Sequence, residues 1–340
     1  MKRKIRQKYQ SSGVDVEIAD KIKKAIGKQA RTTFNTNAQS FGSFGSLFKL
    51  EGCKEPVLVS SADGVGTKLK IASLINKHDT VGRDIVNHCV NDILCNGAKP
   101  LFFLDYIAMS KLLPEQVEAI ISGIAQGCRE VGCSLIGGET AEMPGIYLTG
   151  TYDLVGFIVG VVEKGNIIDG SSIIAGDIVL GLPSSGLHTN GYSLVRRVFK
   201  IEDEPSRLYD FYPELGGTLG EELLRVHHCY YTELKPVLPL IKGLAHITGG
   251  GFEGNISRIL PHGTCGHLSK SSWQVLPIFN LIQKRGEIAE EEMYQVFNMG
   301  IGMTVVCSAQ QVDNILGVLP QAKVIGEIIN ATRGKTVIID

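Results

Sequence analysis

Apolar residues along the chain follow two different periods. Short β-type runs occur at Pro56–Ser60, Leu101–Ala108 and Leu154–Val162, and each predicts a strand. Helical spacing runs through Pro114–Val131, and a second helix is predicted over Asp84–Cys95. After Glu163 the chain reads KGNIIDGSSIIAGD, a Gly/Ser/Asp-rich passage that suits a domain boundary. Beyond it, strands are predicted at Asp177–Leu182, Gly302–Cys307, Val324–Ile328 and Thr336–Ile339, with a helix starting at Tyr192. The segment Glu202–Gly217 reads as a surface loop. Strands alternating with helices indicate an α/β protein of the α+β type, and 340 residues suggest two domains. We place a basic N-terminal arm at 1–30, an N-terminal domain at 31–168 and a C-terminal domain at 169–340.

Composition adds one strong feature. Forty of 340 residues are glycine, about 12% against an average of about 7%. The glycines follow no period and 44% of residues are apolar, which excludes a collagen-like or low-complexity chain. Charge is balanced at a net −1, with none of the basic excess a nucleic-acid binder needs. Residues 1–31 nevertheless carry ten basic side chains against three acids, which makes this arm a solvated tail or a mobile lid over phosphates. Eight cysteines are scattered without a C-x-x-C pair, so a zinc site of ordinary spacing is not expected. The start has no apolar signal-peptide core, and no apolar run is long enough to span a bilayer. A reducing, soluble, cytoplasmic setting is expected.

The candidate chemistry sits beside the glycines. In Ser60-Ser-Ala-Asp-Gly-Val-Gly-Thr-Lys-Leu a strand enters a two-glycine turn before a helix. Backbone N–H groups at Gly64, Gly66 and Thr67 suit phosphate oxygens, Lys68 adds a charge, and Asp63 suits magnesium. A simple turn would carry the same pattern, and the order is not that of a Walker A loop. On a helical wheel, Asp84, Asn87, His88, Asn91 and Asp92 fall on one arc of about 140°. Ile85, Val86, Cys89, Val90, Ile93 and Leu94 fill the other side. A solvated face would favour Lys, Glu and Gln, which are better helix formers. Asp, Asn and His point instead to a cation or a ligand.

A third cluster is Ile136-Gly-Gly-Glu-Thr-Ala-Glu-Met-Pro-Gly, read as a loop at a strand's end that carries Glu139 and Glu142. Asp105 lies in or at the end of an apolar strand. The second half adds Pro183-Ser-Ser-Gly-Leu-His-Thr-Asn-Gly-Tyr, His246-Ile-Thr-Gly-Gly-Gly-Phe and Asn298-Met-Gly-Ile-Gly-Met. Each of these segments taken alone is compatible with a tight turn.

Taken in this order, the segments closely resemble the phosphoribosylformylglycinamidine cyclo-ligase (AIR synthetase) family of purine biosynthesis. The resemblance rests on Tyr9-Gln-Ser-Ser-Gly-Val-Asp, Asp63-Gly-Val-Gly-Thr-Lys, Asp79-Thr-Val-Gly-Arg-Asp, Cys89-Val-Asn-Asp, Pro100-Leu-Phe-Phe-Leu-Asp-Tyr and Gly137-Gly-Glu-Thr-Ala-Glu-Met-Pro-Gly. It continues through Ser184-Ser-Gly-Leu-His-Thr-Asn-Gly-Tyr-Ser-Leu-Val-Arg, Thr248-Gly-Gly-Gly and Phe297-Asn-Met-Gly-Ile-Gly-Met. Single motifs are shared with selenophosphate synthetase and thiamine-monophosphate kinase; the full set is specific to the cyclo-ligases.

The resemblance implies a two-domain fold whose N-terminal sheet helps form a β-barrel in a homodimer, with a mixed C-terminal sheet flanked by helices. It implies ATP-dependent closure of formylglycinamidine ribonucleotide to aminoimidazole ribonucleotide through a phosphorylated formamide oxygen, with release of ADP and phosphate. It implies ATP as co-substrate, magnesium, and a monovalent cation as an open candidate. Carried over residue by residue, Asp63, Asp92, Glu139 and Asp84 are the metal candidates. Gly64, Gly66, Thr67, Lys68, Asn91, Gly137 and Gly138 are the nucleotide candidates. Ser185, Gly186, His188, Asn190, Gly249, Gly250 and Gly251 would hold the substrate, and His188, Glu142 and Asp105 are the proton-handling candidates. The arm 1–30 would then be a lid over ATP.

The chain departs from the family at three places. A glycine-rich GGFGG stretch appears as Gly42-Ser-Phe-Gly-Ser, Thr189 stands for a common Ser, and Phe252 follows the G-G-G run where Pro is frequent. The alternatives are another ATP-dependent enzyme of the superfamily and a non-catalytic nucleotide-binding subunit. The first lacks the N-terminal reactive cysteine of selenophosphate synthetase here, since the first cysteine is Cys53.

Overall fold

The computed structural model describes residues 16–38, 44–331 and 334–340. Residues 1–15 of the basic arm, and Gly42 and Ser43 of the glycine-rich stretch, lie outside the described residues. The chain forms two compact units. The first comprises residues up to 54 with 60–89 and 100–160; the second comprises 55–59, 90–99 and 161–340.

The first unit is built on a four-stranded sheet. In chain order its elements are α1 (Val16–Arg31), β1 (Pro56–Gly64), α2 (Lys68–Ile75), α3 (Asp79–Leu94), β2 (Lys99–Met109), α4 (Pro114–Val131), β3 (Ser134–Glu142) and β4 (Tyr152–Glu163). The sheet order is β1-β4-β2-β3, and β2 and β3 run parallel. The division between units passes through β1, α3 and β4, and sets Lys99 at the start of β2 apart from the rest of that strand.

Helix α4 shows why these residues fold as they do. Pro114 occupies the first turn, where its missing N–H is no loss, and Gly132 ends the helix at φ +70. The stripe Val117, Ile120, Ile121, Ile124 and Cys128 is buried. Glycines let α3 and α4 cross closely. A Cβ on Gly82 would lie 2.1 Å from the Ile120 carbonyl, and one on Gly123 would lie 2.0 Å from the Asp79 carbonyl. Gly156 of β4 likewise makes room for Phe103 and Ile85. Helix α1 packs on α4 and β3 through Ile22 and Ala30. Arg129 Nη1 donates to Thr32 Oγ1 at 2.6 Å, and the Leu135 N–H donates to Thr33 Oγ1 at 2.8 Å.

The sheet's two faces differ. Phe103, Asp105, Ile107, Leu154 and Ile158 are buried on one. On the other, Phe102, Leu104, Tyr106, Val155 and Val159 are half-buried, and Phe157 is 43% exposed.

The second unit carries a six-stranded sheet. Its elements are β5 (Ile178–Pro183), α5 (Tyr192–Val198), β6 (Phe211–Tyr212), β7 (Gly217–Thr218), α6 (Leu219–Leu223), α7 (Tyr231–Leu234), β8 (Gly243–His246), α8 (Gly251–Ile256), β9 (Thr264–Leu268), α9 (Pro277–Gly286), α10 (Glu290–Val296), β10 (Ile301–Cys307), α11 (Val312–Val318), β11 (Lys323–Asn330) and β12 (Val337–Ile339). The order is β12-β9-β11-β5-β10-β8; only the β12–β9 pair is parallel. Every residue of β10 is buried. A bulge falls at Gly302, between the pairs Ile301–Pro183 and Met303–Leu182.

Three expectations change. Strand β3 continues through Glu142, so Glu139 and Glu142 lie on a strand paired with β2 rather than in a loop. Parallel pairing satisfies the backbone of Gly137 and Gly138, which sequence punctuation alone reads as a turn. Strand β1 likewise runs through Asp63 to Gly64. The segment Glu202–Gly217 contains a 3-10 turn at Pro205–Tyr209 and enters the small β6–β7 ladder.

Candidate functional site

In the first unit, the Asp63–Thr67 turn leaves β1 with Gly66 at φ +71. Gly66 and Thr67 are exposed, and the Val65 N–H is tied to the Leu154 carbonyl at 3.1 Å. Asp63 accepts from the Gly64 N–H at 2.7 Å and pairs with His88 Nε2 at 2.9 Å. Its side chain remains 43% exposed.

Lys68 turns the other way. Its Nζ lies 2.7 Å from Asp84 Oδ2, and both side chains are fully buried. Burial pulls the Lys68 pKa down, and the Asp84 charge opposes that shift. The polar arc of α3 is therefore not a solvated face: Asp84, Asn87, His88 and Asn91 are all buried.

Asp105 lies within β2, opposite Gly138. A Cβ on Gly138 would sit 2.4 Å from Asp105 Oδ1, so the carboxyl needs a glycine there. Burial, with a smaller push from the Glu139 charge, raises the Asp105 pKa to about 7. Glu139 is exposed, whereas Glu142 accepts from the Leu112 N–H at 3.0 Å. Asp63 and Glu139 lie on the two edge strands, with β4 and β2 between them. That separation is about 14 Å of sheet at the usual strand spacing. Among the described residues, no close group of three metal-ligating side chains includes Asp63, Asp84 or Glu139.

In the second unit, the loop after β5 meets the glycine run after β8. Asn190 Oδ1 lies 3.4 Å from where a Cβ on Gly249 would stand. Gly249 and Gly250 are exposed, with Gly250 at φ +91. A Cβ on Gly251 would strike the Tyr294 carbonyl at 1.8 Å, so that glycine is fixed by packing. Asn255 ties the run together, donating Nδ2 to the Gly251 carbonyl at 2.7 Å.

Ser185 Oγ donates to the Val226 carbonyl at 2.6 Å. Asn298 Nδ2 donates to the Gly186 carbonyl, and its Oδ1 accepts from Ser184 Oγ, both at 2.9 Å. Asn91 uses its whole amide as a clamp: Nδ2 donates to the His228 carbonyl at 2.7 Å, and Oδ1 accepts from the Tyr230 N–H at 2.9 Å. His188 is 1% exposed and holds φ +61. Its ring stacks on His227 with centroids 4.0 Å apart. His227 Nε2 meets His246 Nε2 at 2.9 Å, and His246 Nδ1 meets Asp92 Oδ1 at 2.9 Å. The bulge glycine Gly302 makes room for this group, since a Cβ there would lie 2.1 Å from Tyr230 Oη and 2.5 Å from His188 Cε1.

Sequence reasoning missed His227, Tyr230 and Asn255 and did not single out His246 as a site residue. His227 sits in an irregular segment with no periodic signal, and its burial is created only by tertiary packing.

The AIR synthase related protein N-terminal domain matches residues 49–162, and the AIR synthase related protein C-terminal domain matches residues 175–339. The chain is 51% identical over 332 residues to a phosphoribosylformylglycinamidine cyclo-ligase of Thermoanaerobacter sp. (strain X514), covering 96% of this chain and 98% of that protein. It is 53% identical over 323 residues to the cyclo-ligase of Caldicellulosiruptor bescii, covering 93% and 94%. The chain belongs to the phosphoribosylformylglycinamidine cyclo-ligase family. The fold is also that of thiamine-monophosphate kinase from Stenotrophomonas maltophilia (TM-score 0.66, 16% identity, covering 93% of this chain and 96% of that one). A hydrogenase maturation protein HypE solved with ATP has it too (TM-score 0.64, 14% identity, covering 91% and 88%).

The Asp105 pKa carries a stability prediction. An aspartate at 3.8 in the unfolded chain and about 7 in the folded one keeps its proton longer when folded, so stability falls as pH rises from 4 to 7. Asp105→Asn removes that loss. By thermal unfolding, the variant should match the parent near pH 4 and exceed it at pH 8, by up to about 4 kcal/mol. Parallel stability curves from pH 4 to 8 would reject the shift.

Proposed function

We propose that the chain closes the imidazole ring of formylglycinamidine ribonucleotide at the expense of ATP. Similarity to cyclo-ligases over nearly the full chain carries this reading. ATP's γ-phosphoryl group passes to the formamide oxygen, and ADP leaves. The amidine nitrogen then attacks the activated carbon, the carbon–oxygen bond breaks, and phosphate leaves as the ring forms. Such chemistry asks mainly for positioning and charge neutralisation.

Gly64, Gly66 and Thr67 are the nucleotide-phosphate residues of this reading, because their turn is exposed and its backbone can reach phosphate oxygens. Lys68 supports that turn from beneath through Asp84. Magnesium fits the exposed oxygens of Asp63 or Glu139 only as an ion completed by phosphates, as magnesium sites commonly are. When bound, it would neutralise phosphate charge. Asp105, whose pKa burial raises to about 7, suits proton transfer near neutral pH. Ser185, Gly186, His188, Asn190 and the exposed Gly249–Gly250 backbone are the substrate residues. The thiamine-monophosphate kinase and the HypE protein that share the fold are far more distant, at 16% and 14% identity.

The half-buried apolar face of β2 and β4 supports a homodimer in which a second copy covers it. No helix among the described residues is long and apolar enough to cross a membrane.

Two experiments test these readings. With ATP, magnesium and substrate labelled with 18O in the formyl group, the chain should release ADP and aminoimidazole ribonucleotide one to one. The label should appear in inorganic phosphate. ATP turnover only with another acceptor, or label retained elsewhere, would reject the reaction. For the dimer, Phe157→Glu should sediment as a monomer where the parent sediments as a dimer; an unchanged mass would place the interface elsewhere.

A further inference from the structure

The buried histidines of the second unit form a directed chain. His246 Nδ1 lies 2.9 Å from the Asp92 carboxylate, which can only accept, so Nδ1 carries a proton, and with the ring neutral Nε2 accepts. His227 Nε2, 2.9 Å away, is then the donor. Its Nδ1 becomes an acceptor facing Thr189 Oγ1 at 3.4 Å. His188 is fixed separately: its Nε2 lies 3.2 Å from the Ser185 backbone N–H, which can only donate. Nε2 therefore accepts, and the His188 ring proton is on Nδ1.

His188 also holds a left-handed backbone, uncommon for a residue with a side chain. Such a conformation persists where surrounding structure over-determines it. Tyr192 Oη donates to the His188 carbonyl at 3.1 Å, and the flat face against the His188 ring belongs to His227, 4.0 Å away and 20° from parallel. A shared metal ion is disfavoured by this stacking, because parallel rings aim their in-plane lone pairs side by side rather than at one point.

We propose that His227 is a positioning residue for His188. Held by its edge through His246 to Asp92, it keeps the His188 ring in the plane in which the Ser185 N–H meets Nε2 and fixes the Nδ1–H form. The inference rests on the reading that His188 touches substrate.

The test combines kinetics and spectroscopy on the full chain. His227→Ala should lower kcat at least about tenfold while KM for ATP and ribonucleotide stays within about threefold. His227→Phe, which keeps the stacking face, should recover most of kcat. Adding His227→Ala to His188→Ala should slow the enzyme no further, because His227 acts through His188. In 15N-histidine spectra, His188 should show a protonated Nδ1 and a bare Nε2, and should lose this single form in His227→Ala.

Wild-type kcat in His227→Ala, a multiplicative loss in the double variant, or a protonated Nε2 on His188 would overturn the proposal. One tightly bound Co(II) or Zn(II) per chain, lost with His227, would make the cluster a metal centre and overturn it too. Full activity in His188→Ala overturns instead the substrate role of His188. If His227→Ala does not fold, His227→Phe and the wild-type spectrum decide.

Discussion

The structure depends on a helix, α3, that is buried over most of its surface yet carries charge inside. Lys68 and Asp84 meet at 2.7 Å with no exposure of either side chain. Taking two such charges out of water costs several kcal/mol each, so each is tolerable only because the other is there. That pairing fixes where α2 begins relative to α3, and hence where the Asp63–Thr67 turn lies. Further along the same helix, in the second unit, Asn91 clamps the backbone at His228 and Tyr230 while Asp92 orients His246.

Glycine is the second constraint. At Gly82 and Gly123 it permits two helix backbones to touch; at Gly138 it leaves space for the Asp105 carboxyl; at Gly302 it leaves space for His188 and Tyr230. A methyl group at any of these places would meet an atom at 2.6 Å or less. The excess of glycine is thus a packing requirement as much as a means of reaching phosphate. Gly249 and Gly250 are different, since their exposed backbone meets no such wall.

Periodic elements were legible in the sequence because their signals are local. The stripe of α4 and the alternation of β2 and β4 read directly as helix and strands. Strand β3 was cut short because Gly137 and Gly138 carry turn chemistry, and only pairing with β2 keeps them extended. The arc of α3 was legible as unusual, since Asp, Asn and His are poor choices for a solvated helix. Which of its residues face a ligand and which hold the fold was not legible, because that depends on partners distant in sequence. Lys68 illustrates this: its place beside a glycine turn suggests phosphate, yet its charge is met inside by Asp84. His227 and Asn255 left no signal, because a single polar residue in an irregular segment looks the same whether buried or solvated.

The arc of α3 is an internal framework held by the Lys68–Asp84 pair. A double-variant cycle read by chemical denaturation tests it most directly. Asp84→Ala alone should cost about 3–5 kcal/mol, because it strands a buried ammonium. Adding Lys68→Met should recover most of that loss, giving a large favourable coupling. Losses that simply add, or an Asp84→Ala variant as stable as the parent, would contradict the account.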